Sequence, residues 1–155
     1  MSAYFQENAD SLLAALGKKL GLEGLEFYED ENGDNQCTLR IDKKRIIHIA
    51  CNEPQILIHT ELGFLPEEGR NTIIEQLLEA NLLWAGTRGA TFSIERASAR
   101  VLLARAITLF NADGNPLSVE EFETAIVDLV DVANYWEQLL HPDKTSVVVD
   151  ITELD

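Results

Sequence analysis

The side chains best suited to metal binding or nucleophilic chemistry are two cysteines and three histidines: Cys37, Cys51, His48, His59 and His141. A zinc site or a Cys–His pair requires such side chains to converge on one point. Strand alternation over residues 45–51 places His48 on one face and Cys51 on the other. Cys51 would have a histidine partner only if His59 reached it across the sheet. The spacing therefore predicts structural cysteines and solvated histidines, with no metal ligands and no catalytic residues.

Two glycine-containing loops resemble parts of known ligand-binding motifs. Residues 111–115 read Asn-Ala-Asp-Gly-Asn, like half of a calcium loop, but Leu109 would then occupy the first ligand position and has no side-chain oxygen. The loop Gly86-Thr-Arg-Gly89 lacks the Lys-Ser/Thr of a phosphate-binding loop. It also follows a predicted helix, and the C-terminal end of a helix repels phosphate. Both segments are predicted to be turns, and we expect no cofactor.

The bulk composition favours one soluble domain that binds protein. The chain has 155 residues, 46% of them hydrophobic, which is enough for a single core. Its net charge of -15 disfavours binding to nucleic-acid phosphates or to an anionic membrane surface. The acidity suits a protein that stays soluble while it handles a sticky or basic partner. Acidity that only maintains solubility is the open alternative.

Neither a secretory signal nor a membrane span is recognisable in the chain. The first residues lack a basic region followed by an apolar one, and no apolar run approaches the roughly 20 residues of a membrane helix. Cys37 and Cys51 lack CxxC spacing and lie in strand-like segments. We therefore predict reduced, buried thiols and a cytoplasmic location.

Hydrophobic spacing divides the chain into helices and strands. Helical spacing occurs over residues 2–20, over 67–84, and from Ser118, which forms a capping box with Glu121, to about His141. Period-two spacing predicts strands at 25–28, 37–41, 45–51, 55–62, 90–95 and 100–107. The order α-β-β-β(-β)-α-β-β-α predicts an α+β fold, with an antiparallel sheet packed with three helices. We assign residues 1–142 to one domain and 143–155 to an acidic tail that is either flexible or an edge strand.

The second predicted helix has an unusually wide apolar arc. Ile73, Ile74, Leu77, Leu78 and Leu82 share this arc, and Leu83-Trp84 extends it. One contact with a sheet does not require so wide an arc. Burial against a second copy of the chain would explain the excess, and so would ordinary core packing.

The run from Leu77 to Ile94, followed by Arg100-Val-Leu-Leu, resembles the central signature of the CesT-like (Tir chaperone) family. The resemblance rests on three features: a helix that ends in Ala80-Asn81-Leu82, the Gly-x-x-Gly-Ala turn at residues 86–90, and the next hairpin. These family members are class I chaperones of bacterial type III secretion. The element order, length and acidity agree, so the resemblance extends over residues 1 to about 141.

The resemblance implies a homodimer that binds the N-terminal segment of one or more secreted effectors in extended form, without nucleotide or metal. The residues then expected at the dimer interface are Leu78, Leu82, Trp84, Phe92 and Ile94. Those expected to line a client groove between the first helix and the early strands are Phe5, Leu13, Leu16, Leu39, Ile41, Ile47 and Ile49. For each position, an ordinary core role is the alternative.

Two other functions are compatible with such a fold. A regulatory adaptor would hold a non-secreted partner in the same apolar grooves, and the sequence does not separate it from a secretion chaperone. A small-molecule enzyme on an α+β scaffold would need converging polar groups, and no spacing in the chain indicates such a set.

Overall fold

A computed structural model describes residues 1–42 and 44–141 of the chain. The helices are α1 (Ala3–Leu20), α2 (Arg70–Ala80) and α3 (Val119–Leu140), and a 3₁₀ turn at Leu82–Trp84 follows α2. The strands are β1 (Tyr28–Glu29), β2 (Asn35–Ile41), β3 (Arg45–Asn52), β4 (Gln55–Phe64), β5 (Thr91–Glu95) and β6 (Arg100–Thr108). The predicted element order and the α+β fold are confirmed. The predicted tail, residues 143–155, lies outside the described residues.

Two helices begin at serine N-caps, of which Ser118 was predicted. The Ser2 hydroxyl accepts a hydrogen bond from the Phe5 amide at 3.1 Å, which starts α1. The Ser118 hydroxyl accepts one from the Glu121 amide at 3.1 Å and donates to the Glu121 carboxylate at 3.0 Å. Ser118 is therefore the N-cap of α3, as predicted, but the Glu121 carboxylate bonds to the Ser118 hydroxyl and not to the Ser118 amide as a full capping box requires.

The strands form one antiparallel six-stranded sheet in the order β1-β2-β3-β4-β6-β5. Strand β6 lies beside β4 because the chain leaves the sheet after β4, forms α2, and returns along the edge as β5. The Leu65 amide donates to the Ala99 carbonyl at 2.8 Å, so the segment 65–99, which contains α2 and β5, begins and ends at one place. Strand β5 is consequently the edge strand, next to α2 in sequence.

The core lies between α1, α3 and one face of this sheet. Inward-facing residues of the central strands, such as Ile47, Ile58 and Leu103, are fully buried. Helix α3 packs across β4 and β6 and also contacts α1. The apolar faces that the sequence predicts for α1 and α3 are the faces that fill this core, at about 1.5–3 kcal/mol for each large side chain.

A buried arginine joins the sheet to α3. Arg45 on β3 is only 6% exposed. Its guanidinium donates to the Asn134 side chain at 2.8 Å, to the Glu137 carboxylate at 2.5 Å and to the Glu61 carbonyl at 2.8 Å. Because a buried charge is costly unless it is paired, these bonds fix the position of α3 over the sheet.

Two predicted elements are shorter in the structure. Of the first predicted strand, 25–28, only Tyr28 pairs with β2, together with the next residue Glu29, since residues 25–27 run beside α1 instead. The predicted helix 67–84 stops at Ala80, because Leu83 and Trp84 adopt left-handed backbone angles, with φ of 51° and 56°. Left-handed residues end an α-helix, and the apolar side chains that follow Ala80 therefore leave the helix axis.

Candidate partner-binding surfaces

A group of large apolar side chains is exposed at the end of α2, the 3₁₀ turn and β5. We call it the helix patch; its members are Leu78, Leu82, Leu83, Trp84 and Ile94, with exposures of 63%, 66%, 82%, 55% and 37%. Single exposed apolar residues are common on protein surfaces, but a contiguous group marks an interaction site. The left-handed turn at Leu83 and Trp84 is what directs this group outward.

Asn81 holds the helix patch together across its two elements. Its side-chain amide donates to the Phe92 carbonyl at 3.1 Å, and its side-chain oxygen accepts from the Phe92 amide at 2.8 Å. Asn81 thereby occupies the outer edge of β5 as a neighbouring strand would. The Trp84 indole also donates to the Thr91 hydroxyl at 3.1 Å. These bonds explain why an asparagine ends this helix and faces the next hairpin.

Gly86 is required by a close approach to α2. A Cβ atom at this position would lie 3.1–3.2 Å from the carbonyl oxygen, Cα and Cβ of Ala80, closer than ordinary contacts allow. The Gly86 carbonyl accepts a hydrogen bond from the Trp136 indole at 3.3 Å. The loop after the 3₁₀ turn is thus pressed against α2 on one side and joined to α3 on the other.

The structure exposes most of the predicted dimer residues. Leu78, Leu82, Trp84 and Ile94 belong to the helix patch, whereas Phe92 is buried, with its ring 5.6 Å from the ring of Trp136. Leu83, the most exposed member, was not among the predicted residues. Helical periodicity does not reveal a left-handed turn, and its only sequence signal is the apolar run Leu82-Leu83-Trp84.

The residues predicted to line a client groove lie in the core instead. Phe5, Leu13, Leu16, Leu39, Ile47 and Ile49 are each 3% exposed or less, and Ile41 is half-buried. The physical reason is that α1 packs directly on the inward face of the sheet and leaves no space between them at these positions. Their contact with a client stays a prediction, and such a contact would require part of the core to open.

A groove does exist on the other side of α1. It encloses about 360 Å³ between α1 and the segment before β1, and we call it the α1 groove. Its lining residues are Asp10, Leu13, Ala14, Leu25, Glu26 and Phe27. Leu13 is the one predicted client residue that contributes to it. Beside it, β1 pairs only with Asn35 and Gln36, so the rest of the outer edge of β2 has no partner strand among the described residues.

The histidines and cysteines separate as the alternation predicts. His48 and His59 lie opposite each other on β3 and β4, and their rings stack with centroids 4.9 Å apart. Cys51 pairs with Ile56 three positions further along the two strands, and Ile56 faces the core, so His59 shares a face with His48 and not with Cys51. Burial, and then the nearby Asp10 carboxylate, raise the pKa of Cys51 to about 12. A thiol with this pKa stays protonated at neutral pH and does not act as a nucleophile.

The turn prediction for residues 111–115 is confirmed. The Asn111 side-chain oxygen accepts from the amides of Asp113 at 3.0 Å and Asn115 at 2.9 Å. That oxygen is therefore used to close the turn. Across residues 1–42 and 44–141, no cluster of three or more His, Cys, Asp or Glu side chains is arranged to hold a metal ion. In the same part of the chain, no helix has the length and apolarity to cross a membrane.

The fold and its exposed apolar surfaces are those of a protein that binds other polypeptides. Residues 11–137 match the family model of the Tir chaperone proteins, and the chain belongs to this CesT family. A search of the curated proteins found no match.

Three solved structures show the same fold. The chain is 24% identical to one in the ExsC–ExsE complex, with a TM-score of 0.68, covering 90% of this chain and 97% of that one. It is 15% identical to a chain of the HopA1–SchA chaperone–effector complex, with a TM-score of 0.66, covering 89% of this chain and 99% of that one. It is 21% identical to a chain of the ExoU–SpcU complex of the Pseudomonas aeruginosa type III secretion system, with a TM-score of 0.62, covering 86% of this chain and 98% of that one.

Proposed function

We propose that this chain is a dimeric chaperone of bacterial type III secretion that acts in the cytoplasm. It binds the N-terminal chaperone-binding segment of a secreted effector and keeps that segment soluble and competent for export. The observation that carries the proposal is the exposed helix patch, on a fold shared with a chaperone–effector complex. The α1 groove supplies a second, separate surface for the client.

The helix patch suits a second copy of the chain. A twofold dimer brings the same patch of both protomers together, so each exposed leucine and Trp84 is buried by its own counterpart. The patch consists of large apolar side chains, four aliphatic and one aromatic, as the centre of a permanent interface does. The predicted dimer residues Leu78, Leu82, Trp84 and Ile94 make this contact, and buried Phe92 supports it from beneath by packing on Trp136.

The α1 groove and the neighbouring edge of β2 suit an extended client segment. The edge offers backbone hydrogen bonds to an added strand, and the half-buried Leu25 and Phe27 offer apolar contacts to its side chains, whereas Leu13 is only 1% exposed and lies beneath the groove. Apolar contact offsets the entropy that the client loses when it becomes ordered. The other predicted client residues act here by holding α1 and β2 in place.

The dimer is tested by replacing one residue of the helix patch. Leu82→Glu places a charge in the interface, so the mass measured by light scattering during size exclusion should fall from that of a dimer to that of a monomer. Val127→Glu is the matched control, because Val127 is 48% exposed on α3 and lies outside the patch. A wild-type chain that is monomeric at all concentrations contradicts the dimer.

The client is tested by co-expression with the N-terminal segment of a secreted protein encoded beside this chain. Ala14→Arg fills the α1 groove from an exposed position, and we expect it to weaken binding of that segment by about tenfold or more. Ser11→Arg adds the same charge to an exposed position of α1 outside the groove and should bind like the wild type. Equal binding by both variants contradicts the assignment of the groove.

A further inference from the structure

A second groove lies between the C-terminal ends of α2 and α3, and its lining is distinct from the residues of both surfaces described above. It has a volume of about 640 Å³, and we call it the helix-end groove. Its walls include Glu79, Ala80, Gly86, Tyr135, Trp136 and Leu139. None of these residues belongs to the helix patch or to the α1 groove.

The helix-end groove has a negative electrostatic character. The last turns of α2 and α3 both contribute to its walls, and neither turn contains a basic residue. The C-terminal end of a helix carries a partial negative charge, and the Glu79 carboxylate adds a full one. Basic side chains nearby are paired elsewhere: Arg88 with Asp128 at 3.1 Å, and Arg45 with Glu137 at 2.5 Å.

Two aromatic rings stand in the same groove in fixed positions. Tyr135 is 69% exposed, and its ring meets that of Trp136 edge-to-face, with centroids 5.6 Å apart. Trp136 is held by its hydrogen bond to the Gly86 carbonyl and by its contact with Phe92. An aromatic face beside a carboxylate favours a cation, and a planar guanidinium gains more than an ammonium because it also stacks.

We infer that the helix-end groove binds an arginine side chain of a bound polypeptide. The guanidinium pairs with Glu79 and stacks on Tyr135, while apolar residues on either side of the arginine contact Ala80 and Leu139. A chain with a net charge of -15 is complementary to such a basic segment. That the arginine belongs to a client, and not to a second copy of this chain, rests on the proposed function.

A pair of synthetic peptides tests this inference without an identified client. One is acetyl-Ala-Leu-Arg-Leu-Ala-amide, and the other replaces arginine with citrulline, which has nearly the same shape and no charge. The indole N–H resonance of Trp136 reports binding in an NMR titration of the full chain. The chain has only Trp84 and Trp136, so Trp84→Phe assigns the two resonances.

We expect the arginine peptide to shift the Trp136 resonance saturably and the citrulline peptide to leave it in place. Glu79→Gln should weaken binding of the arginine peptide on the order of threefold, the value of one exposed ion pair. Glu75→Gln removes a charge from an exposed position of α2 outside the groove and should have no effect. Equal binding of both peptides, or equal effects of the two variants, overturns the inference.

The titration identifies the occupant of the groove when it is combined with measurements of self-association and of effector-segment binding. If the arginine peptide competes with self-association, a second copy supplies the arginine and the assignment to a client is overturned. If the peptide binds but no effector segment does, the groove stands and the chaperone proposal fails. Effector binding without any response to the arginine peptide removes the groove assignment alone.

Discussion

Asn81 shows how one side chain can shape a whole surface. It ends α2, and the same amide group then forms two hydrogen bonds with the backbone of Phe92 on the edge of the sheet. No other standard side chain of this length offers both a donor and an acceptor, except aspartate when it is protonated. The orientation of the helix patch relative to β5 therefore depends on this residue.

Replacing Asn81 with alanine should lower the free energy of unfolding by about 1–3 kcal/mol. The substitution leaves the amide and carbonyl of Phe92 without partners in a partly buried place, and this is the cost of such a loss. Urea denaturation measures the change. Asn71→Ala, at an exposed position in the first turn of α2, is the control and should change stability far less.

The stacked histidines make stability depend on acidity. Burial lowers the pKa of His59, and the charges of His48 and Arg100 lower it further. Its buried Nδ1 atom also has no hydrogen-bond partner among residues 1–42 and 44–141. As pH falls below the ordinary value of 6.5, the unfolded chain therefore takes up a proton more readily than the folded chain. The contribution of His59 to stability is present at neutral pH and is lost towards acid.

We expect His59→Gln to reduce the acid-side loss of stability. The free energy of unfolding from urea titrations should fall less in the variant than in the wild type between about pH 7 and about pH 5. The comparison uses each protein's own value at neutral pH as its reference, so a constant effect of the substitution cancels. An unchanged loss in the variant would mean that other groups cause it.

At the scale of elements, periodicity predicted the order of helices and strands because most of them have one buried face. Periodicity failed where backbone conformation, and not burial, determines the direction of the chain. Leu83 and Trp84 continue an apolar pattern through a left-handed turn, so a single helix was predicted where α2 and a 3₁₀ turn occur. Periodicity also identifies an apolar face without showing what covers it. The family resemblance did not show it either, since Leu16 and Ile47 were expected to line a client groove although the α1–sheet contact buries them.

The contact of the 86–90 loop with α2 is expected to tolerate no added methyl group. In Gly86→Ala the new Cβ would meet the Ala80 carbonyl oxygen at 3.1 Å, so the loop must move away from the helix. We expect a loss of about 1–3 kcal/mol, the cost of overpacking, and a changed indole resonance for Trp136 as its bond to residue 86 lengthens. Thermal unfolding and the NMR spectrum check these two effects. An unchanged indole resonance would show that the loop and Trp136 are not coupled.

At the scale of the whole molecule, net charge opposes self-association. Each protomer carries -15, and two like-charged protomers repel until salt screens their charges. The helix patch supplies the apolar attraction that has to exceed this repulsion. The acidity thus limits association to surfaces with enough apolar contact.

The dissociation constant of the dimer should therefore fall when NaCl is raised from about 0.05 M to about 0.5 M. Sedimentation equilibrium at both salt concentrations measures it. Val127→Glu adds one negative charge outside the patch and should increase the salt dependence slightly. A dimer that weakens with salt would indicate that ion pairs, and not apolar contacts, hold the protomers together.

The excursion of the chain between β4 and β6 has a consequence for how such proteins diverge. Residues 65–99 contain the whole helix patch, and they begin and end at the hydrogen bond between Leu65 and Ala99. The α1 groove belongs entirely to residues that precede β1. Residues 65–99, which include β5, can therefore be exchanged as one segment at this junction while β1–β4, β6 and the α1 groove keep their sequence. If the proposed function holds, selection can alter the choice of dimer partner and the choice of client independently, so duplicated copies can avoid mixed dimers without changing the client that they bind.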